Sequence, residues 1–552
     1  MKTHVLLPAS LTKPARQGLQ HRLKRSVKLA LQLGLALGLG ATSLNACQVT
    51  PPVQRDQVII FGKSKDAVTL DPADATDGES SAVLVNIFEP LLRFQRESTQ
   101  VEPALAESWV ISDDKLTWTF TLREGITFHD GTPLDSAAVK FNYDRQRDPE
   151  NPWRFKGLFE YWHLFFASVD SVEAPDARTV VFRLNRADAT FLTNLALFTM
   201  GISSPTAIQK YGEDYFKHPV GTGPYYLDKW IRNEKIQLKR YDAYWGEKPG
   251  VERLIFKPVP DNAVRLLELE VGAIDVLDGI NPDDVPRIRK NPELELLTQP
   301  GLNVGYLAMN ALKKPYGDQR VRLAINHAIN KEALVKAFFA DGTLGTTAKN
   351  PMPSTIWGYN DQISPHPYDP ERARQLLAEA GLSKGFETVL WVMPIARPYM
   401  PQPQRIAEAI QADLKAVGIT AKIVTYEWGT YLDKLSGGEH EMALMGWIGD
   451  NGDPDNFLYT LLDKSNTKIG SAANYAFYQS EAVHQLLVNA QQIYDQQERS
   501  RLYEQAQALI HADAPWVPLF HSTQMMATRK GVQGFFLHPV GEKRFHTIRW
   551  EQ

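Results

Sequence analysis

The sequence is almost without cysteine: Cys47 is the only one among 552 residues. No disulfide can therefore form within the chain, and a metal site built from several thiolates is excluded. The 13 histidines do not include the H-E-x-x-H pattern that places two zinc ligands on one face of a helix. A chain of this length does not need disulfides, because it can bury large cores in two or more lobes.

Motifs for phosphate binding and nucleophilic hydrolysis are also missing. "GKS", Gly62–Ser64, ends like a phosphate loop, but the earlier glycine of that motif falls on Gln57. "GLSKG", Gly381–Gly385, has the letters of a nucleophile elbow, which joins a strand to a following helix. Here a predicted helix precedes the motif and a predicted strand follows it. We therefore interpret Ser383 as a loop or helix C-cap residue and do not predict an enzyme.

The chain lacks an excess of positive charge and, after residue 50, any long apolar run. Its 60 basic and 64 acidic residues give a net charge of −4, which argues against nucleic acid as a partner. Metal, nucleotide and nucleic-acid functions are thus all disfavoured by what is absent.

One apolar run lies near the beginning, from Leu29 to Leu44, after a basic stretch. It is shorter than the roughly 20 residues of a membrane span and is typical of an export signal. It ends in "LNAC", Leu44–Cys47, which resembles a bacterial lipobox. We predict a signal peptide over residues 1–46, a lipid on Cys47 and a tether over residues 47–57, hence a lipid-anchored protein of the periplasm or cell envelope. Ordinary cleavage near Ala46, or an uncleaved anchor, is the alternative.

Secondary-structure signals change character near residue 303. The first half is rich in short strands, and its helix "DSAAVKFNYDRQ" has Asp135 as its predicted N-cap. From residue 303 onward helices alternate with strands, which predicts an α/β lobe with parallel pairing. The predicted helices there include "DQRVRLAINHAINKEALVKAFF" and "PQRIAEAIQADLKAVG", and the strands are "ETVLWVM", "TAKIVTYEW" and "EMALMGWI". We predict two lobes, residues 58–301 plus 524–552 and residues 302–523.

The stretch "GWIGDNGDPDNF", residues 446–457, concentrates aspartate and glycine in one predicted turn. Its aspartates could bind a cation, and calcium is the first candidate. Counted from Asp450, however, the third, sixth and twelfth positions of an EF-hand loop fall on Gly452, Asp455 and Leu461. We predict no metal and no cofactor, which leaves an organic cation.

Two loops follow predicted strands of the second lobe. "ETVLWVM" leads into a loop with Arg397, and "EMALMGWI" leads into the loop that begins at Asp450. Ligands in open α/β sheets bind at the carboxyl ends of strands. A guanidinium binds a carboxylate bidentately, so the two side chains suit the ends of a zwitterion such as a short peptide. The alternative is an ion pair between Arg397 and Asp450 themselves. We expect Tyr399 and Trp447 to line the same pocket.

With these residues in view, the chain resembles the family 5 extracellular solute-binding proteins of bacterial ABC importers. The general family pattern is found in three segments, Pro103–Arg145, "HPVGTGPY" (His218–Tyr225) and "YDAYWGEKP" (Tyr241–Pro249). The likeness to the dipeptide-binding members lies in "PGLNVGYLAMN", "WGYND", "WVMPIARPYMP", "AKIVTYEWGTYL" and "GDNGDPDNF". Together these segments extend over nearly all of the chain after the signal.

The resemblance implies the α/β, two-lobed periplasmic binding protein fold of the large, cluster C type, with a ligand cleft between the lobes. It implies hinges near Gly301–Asn303 and Ser522–Gln524. It implies that Asp450 receives the α-ammonium of a peptide and Arg397 its carboxylate. Backbone at Met445, Gly446 and Trp447, and at Thr76, Asp77, Gly78 and Glu79, would hydrogen-bond the extended ligand.

The resemblance also implies partners. The expected function is capture of a dipeptide or short peptide by a monomer and its delivery to ABC permease subunits in the membrane. The segment "AVTLDPADATDGESS" follows the broad family pattern more than the dipeptide-specific one. An oligopeptide, glutathione or haem therefore stays an alternative ligand, and a peptide hydrolase a more remote alternative.

Overall fold

The computed structural model describes residues 54–551. The predicted signal peptide, Cys47 and most of the predicted tether lie outside the described residues. Of that tether, residues Arg55–Gln57 form a 3-10 turn, and Arg55 pairs with Asp275 at 2.5 Å, so this end of the segment contacts the folded body. No helix among residues 54–551 combines the length and the apolar character needed to cross a membrane.

Strands and helices are spread along the whole described chain. The strands are β1 (Val58–Lys63), β2 (Leu92–Phe94), β3 (Val101–Pro103), β4 (Ala106–Ile111), β5 (Thr117–Leu122), β6 (Val169–Asp176), β7 (Thr179–Leu184), β8 (Tyr225–Ile231), β9 (Lys235–Arg240), β10 (Arg253–Pro258), β11 (Val276–Asp278), β12 (Leu294–Pro300), β13 (Asn303–Met309), β14 (Gly345–Thr347), β15 (Phe386–Trp391), β16 (Ile419–Val424), β17 (Met442–Ile448), β18 (Trp516–Arg529), β19 (Val532–Gln533) and β20 (Arg549–Trp550). The α-helices are α1 (Gly78–Leu84), α2 (Ser136–Arg147), α3 (Glu160–Phe165), α4 (Phe191–Asn194), α5 (Pro205–Tyr211), α6 (Asn262–Glu270), α7 (Val285–Lys290), α8 (Gln319–Ala328), α9 (Lys331–Phe338), α10 (Pro370–Glu379), α11 (Pro403–Ala416), α12 (Trp428–Ser436), α13 (Asp455–Leu462), α14 (Glu481–Gln492) and α15 (Gln496–Asp513). Further 3-10 turns cover Pro72–Asp74, Phe198–Met200, Gly212–Lys217, Pro282–Asp284 and Lys464–Asn466.

Most predicted elements of the sequence are found, with one clear correction. Asp135 caps α2 by accepting a hydrogen bond from the backbone N–H of Ala138, and Ser383 lies in the loop between α10 and β15, as predicted. The helix predicted across residues 318–339 is wrong as one unit, because it is divided into α8 and α9. Asn330 ends the continuity by capping α9 through the N–H of Ala333, and a side chain that caps a helix favours a new start there.

The large sheet has strand order β16-β15-β17-β13-β18-β11-β1-β10-β9-β8, with β12 and β14 also paired to β18. The predicted parallel pairing is confirmed for β15, which runs parallel to both β16 and β17. Strands β4 to β7 form a separate antiparallel sheet in the order β4-β5-β7-β6. Three buried apolar clusters fill the space around these sheets, one under β13 to β17, one around β4 to β7 and one around β1 and β10.

Strand β18 pairs with two different sets of strands in the large sheet. Its residues up to Ser522 pair with β13 and β14, and from Thr523 onward they pair with β12 and β11. At this change of partners the Asn303 side chain accepts from the Ser522 N–H at 2.9 Å and donates to the Ser522 carbonyl at 2.9 Å. Asn303 is fully buried. Its side chain therefore satisfies backbone groups of Ser522 that water cannot reach.

We predict that Asn303→Ala lowers the free energy of unfolding by about 2–4 kcal/mol, because the Ser522 N–H and carbonyl both lose a buried partner. Urea denaturation followed by tryptophan fluorescence measures this change. The matched control is Asn185→Ala, which removes an exposed hydrogen bond to the Ala167 carbonyl and should cost less than about 0.5 kcal/mol. Equal losses in the two variants would contradict a special role of Asn303.

Candidate functional site

A cavity of about 370 Å³ lies where the loops after β15 and β17 face α1. It is lined by all ten residues that the sequence singles out for ligand binding: Thr76, Asp77, Gly78, Glu79, Arg397, Tyr399, Met445, Gly446, Trp447 and Asp450. The structure thus brings together residues that are more than 300 positions apart in the chain. Their individual roles in binding stay predictions.

The geometry of the sheet explains why two of these loops meet. Because β15 and β17 are parallel neighbours, the loops after Trp391 and Ile448 leave the same sheet edge. The first loop closes a tight turn in which the backbones of Arg397 and Met400 exchange hydrogen bonds of 3.0 and 2.8 Å. In the second loop, the backbone N–H of Asp450 donates to Asn456 Oδ1 at 2.9 Å. Both charged side chains are therefore carried by fixed backbone.

Arg397 pairs with Glu79, not with Asp450. Its Nη1 lies 3.1 Å from Glu79 Oε1, so the alternative ion pair between Arg397 and Asp450 is not formed. Burial disfavours the guanidinium charge, but nearby acidic groups together outweigh this effect and raise the pKa of Arg397 above its ordinary value. The largest of these contributions comes from Glu79, and smaller ones come from Tyr399, Asp77 and Asp278. The guanidinium carbon also lies 5.2 Å from the centre of the Trp428 ring, a cation–π distance.

Glu79 is fully engaged by its surroundings. Besides Arg397, Lys63 Nζ lies 3.2 Å from Glu79 Oε2, and the Ser64 hydroxyl donates to Oε1. Burial alone would raise the pKa of Glu79, but the charges of Lys63 and Arg397 lower it to about 2. The sequence predicts a role only for the backbone of Glu79, whereas its side chain joins the α1 side of the cavity to the loop after β15.

Asp450 has polar partners but no cation. Tyr161 OH donates to Oδ1 at 3.2 Å and Asn456 Nδ2 donates to Oδ2 at 3.3 Å. No lysine, arginine or histidine within residues 54–551 forms an ion pair with it. Burial raises the pKa of Asp450 to about 7, and Glu542 adds to the rise, although the two hydrogen bonds oppose it. A cation placed here would therefore be strongly favoured.

The other aspartates of the same stretch have structural partners. Asp453 pairs with Arg499 at 2.8 Å, and Asp455 accepts a hydrogen bond from Gln491 at 3.1 Å. Asp450 is the aspartate of this stretch that lines the cavity. Among the described residues, no group of three or more histidine, cysteine or acidic side chains is arranged to hold a metal ion.

Several lining residues carry no signal in the sequence. Tyr399 and Trp447 line the cavity as predicted. Trp428, an aromatic residue within the family-like segment "AKIVTYEWGTYL", also lines it, and so does Tyr161 on α3, a helix without a binding motif. Lys63 is 2% exposed at the end of β1, where a pattern analysis expects an apolar side chain. Its role is visible only in the structure, as a buried ion pair with Glu79 that depends on the tertiary fold.

Comparisons with known proteins agree on one family. Residues 100–468 match the family model described as bacterial extracellular solute-binding proteins, family 5 Middle. The chain is 39% identical over 541 residues to the dipeptide-binding protein of Escherichia coli K12, covering 95% of this chain and 100% of that protein. It is 37% identical over 546 residues to heme-binding protein A of Haemophilus influenzae, covering 96% and 99% of the two chains.

A solved structure extends the likeness to three dimensions. The periplasmic binding protein DppA of Helicobacter pylori, in complex with the peptide STSA, is 37% identical and matches with a TM-score of 0.85 over 90% of this chain and 98% of that chain. The predicted α/β periplasmic binding protein fold is thereby confirmed.

We predict that Asp450→Asn stabilises the ligand-free protein at pH 8 and not at pH 4. The pKa of Asp450 in the folded protein, about 7, exceeds its ordinary value of 3.8. Between these values the folded state holds a proton that the unfolded state has lost, so stability falls as pH rises through this window. Asparagine does not titrate, so Asp450→Asn should raise the free energy of unfolding by on the order of 2–4 kcal/mol at pH 8. Thermal unfolding at the two pH values measures it, and an equal shift at both would contradict the assignment.

Proposed function

The chain belongs to the bacterial extracellular solute-binding proteins of family 5, and we propose that it binds a dipeptide or similar short peptide and delivers it to the permease of an ABC importer. The observation that carries this proposal is the pair of charged groups in one cavity: Asp450, which has no cationic partner among residues 54–551, and Arg397, which has donors to spare. In this proposal the ligand undergoes no covalent change. The permease and a separate ATPase carry out its transport.

Asp450 receives the α-ammonium of the peptide. A partly buried carboxylate with a raised pKa costs free energy whenever it is ionised, and an ammonium removes this cost while donating hydrogen bonds. Tyr161 and Asn456 each donate to one of the carboxylate oxygens. They hold the carboxylate in place and leave its remaining lone pairs for the ligand.

Arg397 receives the terminal carboxylate. A guanidinium has five N–H donors, and within residues 54–551 only the Nη1 of Arg397 has a side-chain acceptor, Glu79. Glu79 and the Trp428 ring orient the guanidinium plane. The remaining N–H donors can therefore bind a ligand carboxylate in one defined orientation.

The edge of β17 offers backbone groups to an extended ligand. Its pairing with β15 covers Met442 and Ala443, and its other edge pairs with β13 along the full length from Met442 to Ile448. Gly446 lies beyond the β15 pairing, and a Cβ there would approach the Tyr399 ring to 2.3 Å. Thr76 and Gly78 are exposed on the α1 side of the cavity. These features support strand-like binding of a peptide backbone between them.

Cavity size supports a short ligand. The volume of about 370 Å³ is at the lower end of the roughly 300–1,000 Å³ that small-molecule sites occupy. A di- or tripeptide fits this volume better than an oligopeptide or haem. Haem remains the second candidate because of the 37% identity to heme-binding protein A of Haemophilus influenzae.

The proposal also includes closure of two lobes around the ligand. One lobe comprises residues 58–301 plus 524–552, and the other comprises residues 302–523. The change of partners along β18 between Ser522 and Thr523 supports a hinge there. Hinge closure around a ligand is the usual motion of periplasmic receptors. In this scheme each lobe brings one half of the contacts to the peptide.

We predict that calorimetric titration of the refolded, ligand-free protein gives tight binding of dialanine and loses it when either end is blocked. N-acetyl-dialanine lacks the ammonium for Asp450, and dialanine amide lacks the carboxylate for Arg397. Arg397→Ala and Asp450→Ala should each cost about 2–5 kcal/mol of binding, as expected when a buried charge loses its partner.

The matched controls are Arg405→Ala and Asp113→Ala, both at exposed positions away from the cavity. They should bind dialanine like the unmodified protein. Equal affinity for blocked and free peptides would reject the assignment of the two ends. A Soret band on adding haem, with no response to dialanine, would favour the haem alternative. Release of free alanine would indicate a hydrolase.

We further propose a monomer, held at the membrane by a lipid on Cys47 after removal of residues 1–46. The apolar run and "LNAC" support this. Mass spectrometry of the mature N-terminus should find a diacylglyceryl cysteine at position 47, because the lipid adds a mass that simple cleavage does not. A free N-terminus near residue 47 without added mass would refute lipidation.

A further inference from the structure

Glu79 is a carboxylate of the protein at the end of the cavity where the ligand carboxylate is proposed to bind. Arg397 and Ser64 contact its Oε1, Lys63 contacts its Oε2, and Lys63 also donates to its backbone carbonyl. Both of its oxygens are thus occupied by protein groups. Glu79 is 7% exposed, so the pairing is shielded from solvent and its charges are weakly screened.

The charges at this end add up to a single positive charge. Lys63 and Arg397 are two cations in direct contact with one anion, Glu79. Arg265, Lys543, Asp77 and Asp278 also line the cavity, and Lys543 Nζ lies 3.5 Å from Asp278 Oδ2. With both carboxyls ionised, these two cations and two anions add no net charge to that of Lys63, Arg397 and Glu79. Removing Glu79 would leave two cations for the ligand.

We propose that Glu79 is a specificity-determining residue that limits this end of the cavity to one ligand carboxylate. It selects against ligands with a second acid group beside the terminal carboxylate, such as a dipeptide that ends in aspartate. The inference rests on the proposed function, because it assumes that the ligand carboxylate binds Arg397.

The physical reason is repulsion between carboxylates in a site of low dielectric. The β-carboxylate of a C-terminal aspartate lies within a few ångströms of its α-carboxylate, so binding at Arg397 places it close to Glu79. Like charges that face each other at such distances in a partly buried site repel strongly, and such negative selection is a common source of specificity. The neutral, nearly isosteric ligand Ala-Asn avoids this repulsion.

The experiment compares the dissociation constants of Ala-Asp and Ala-Asn by calorimetry at pH 7.5. The unmodified protein should bind Ala-Asn at least about tenfold more tightly. In Glu79→Gln, the ratio should shift toward Ala-Asp by about tenfold or more, since the repulsion is gone and Lys63 becomes available. An unchanged ratio in Glu79→Gln would overturn the inference.

Two variants separate local charge from other effects. The double variant Lys63→Met with Glu79→Gln restores a single positive charge, and its ratio should return to within about threefold of that of the unmodified protein. Glu213→Gln makes the same change of net charge in an exposed ion pair with Lys156 and should leave the ratio unchanged. A double variant that behaves like Glu79→Gln, or a Glu213→Gln that shifts the ratio equally, would reject the inference.

A measurement on the unmodified protein covers the case in which Glu79→Gln does not fold. As pH falls from 7.5 to 5, the bound aspartate side chain gains a proton more readily beside Glu79 than in water. The discrimination against Ala-Asp should then decrease, by about twofold if it is tenfold at pH 7.5 and by more if it is larger, and the Ala-Asn titration at each pH corrects for Asp450. A discrimination that does not change with pH rejects the inference. Absence of binding of both ligands and of dialanine would instead reject the proposed function itself.

Discussion

A carboxylate taken out of water must find positive charge or polar partners, and this constraint organises the cavity. Glu79 meets it within the protein, through Lys63 and Arg397. Asp450 meets it only in part, through two neutral donors, Tyr161 and Asn456. The pKa of Glu79 is accordingly lowered to about 2 and that of Asp450 raised to about 7. The first group is neutralised within the protein, and we propose that a ligand ammonium neutralises the second.

Both carboxylates also connect the two sides of the cavity. Glu79, from α1, reaches Arg397 in the loop after β15, and Asp450, after β17, is reached by Tyr161 from α3. A motion that separates the sides would break each of these contacts and expose its charges to water. In the closure proposed above, lobe movement and charge neutralisation coincide, so a ligand that brings the missing charge would favour the closed form.

The sequence predicts the parts of the site that depend on local pattern. Alternation of strands and helices places β15 and β17 side by side, and so predicts that Arg397 and Asp450 leave one sheet edge. The Glu79 side chain could not be assigned in this way, because its partner Arg397 is 318 positions away and nothing local to α1 indicates it. Tyr161 on α3 could not be assigned for the same reason. The break at Asn330 could have been found, since asparagine is a strong helix N-cap.

On the assignment proposed above, the protein recognises the two ends and the backbone of its ligand. Backbone at the free edge of β17 is indifferent to side-chain identity, and the two charged groups respond to the termini. Ligand length is then set by the span between Asp450 and Arg397, because both charges must be satisfied at once. Side chains matter chiefly where they carry charge close to a terminus, and at the carboxylate end the group they meet is Glu79. One set of contacts would thus let the protein accept many ligand side chains and still distinguish ligands by their charge.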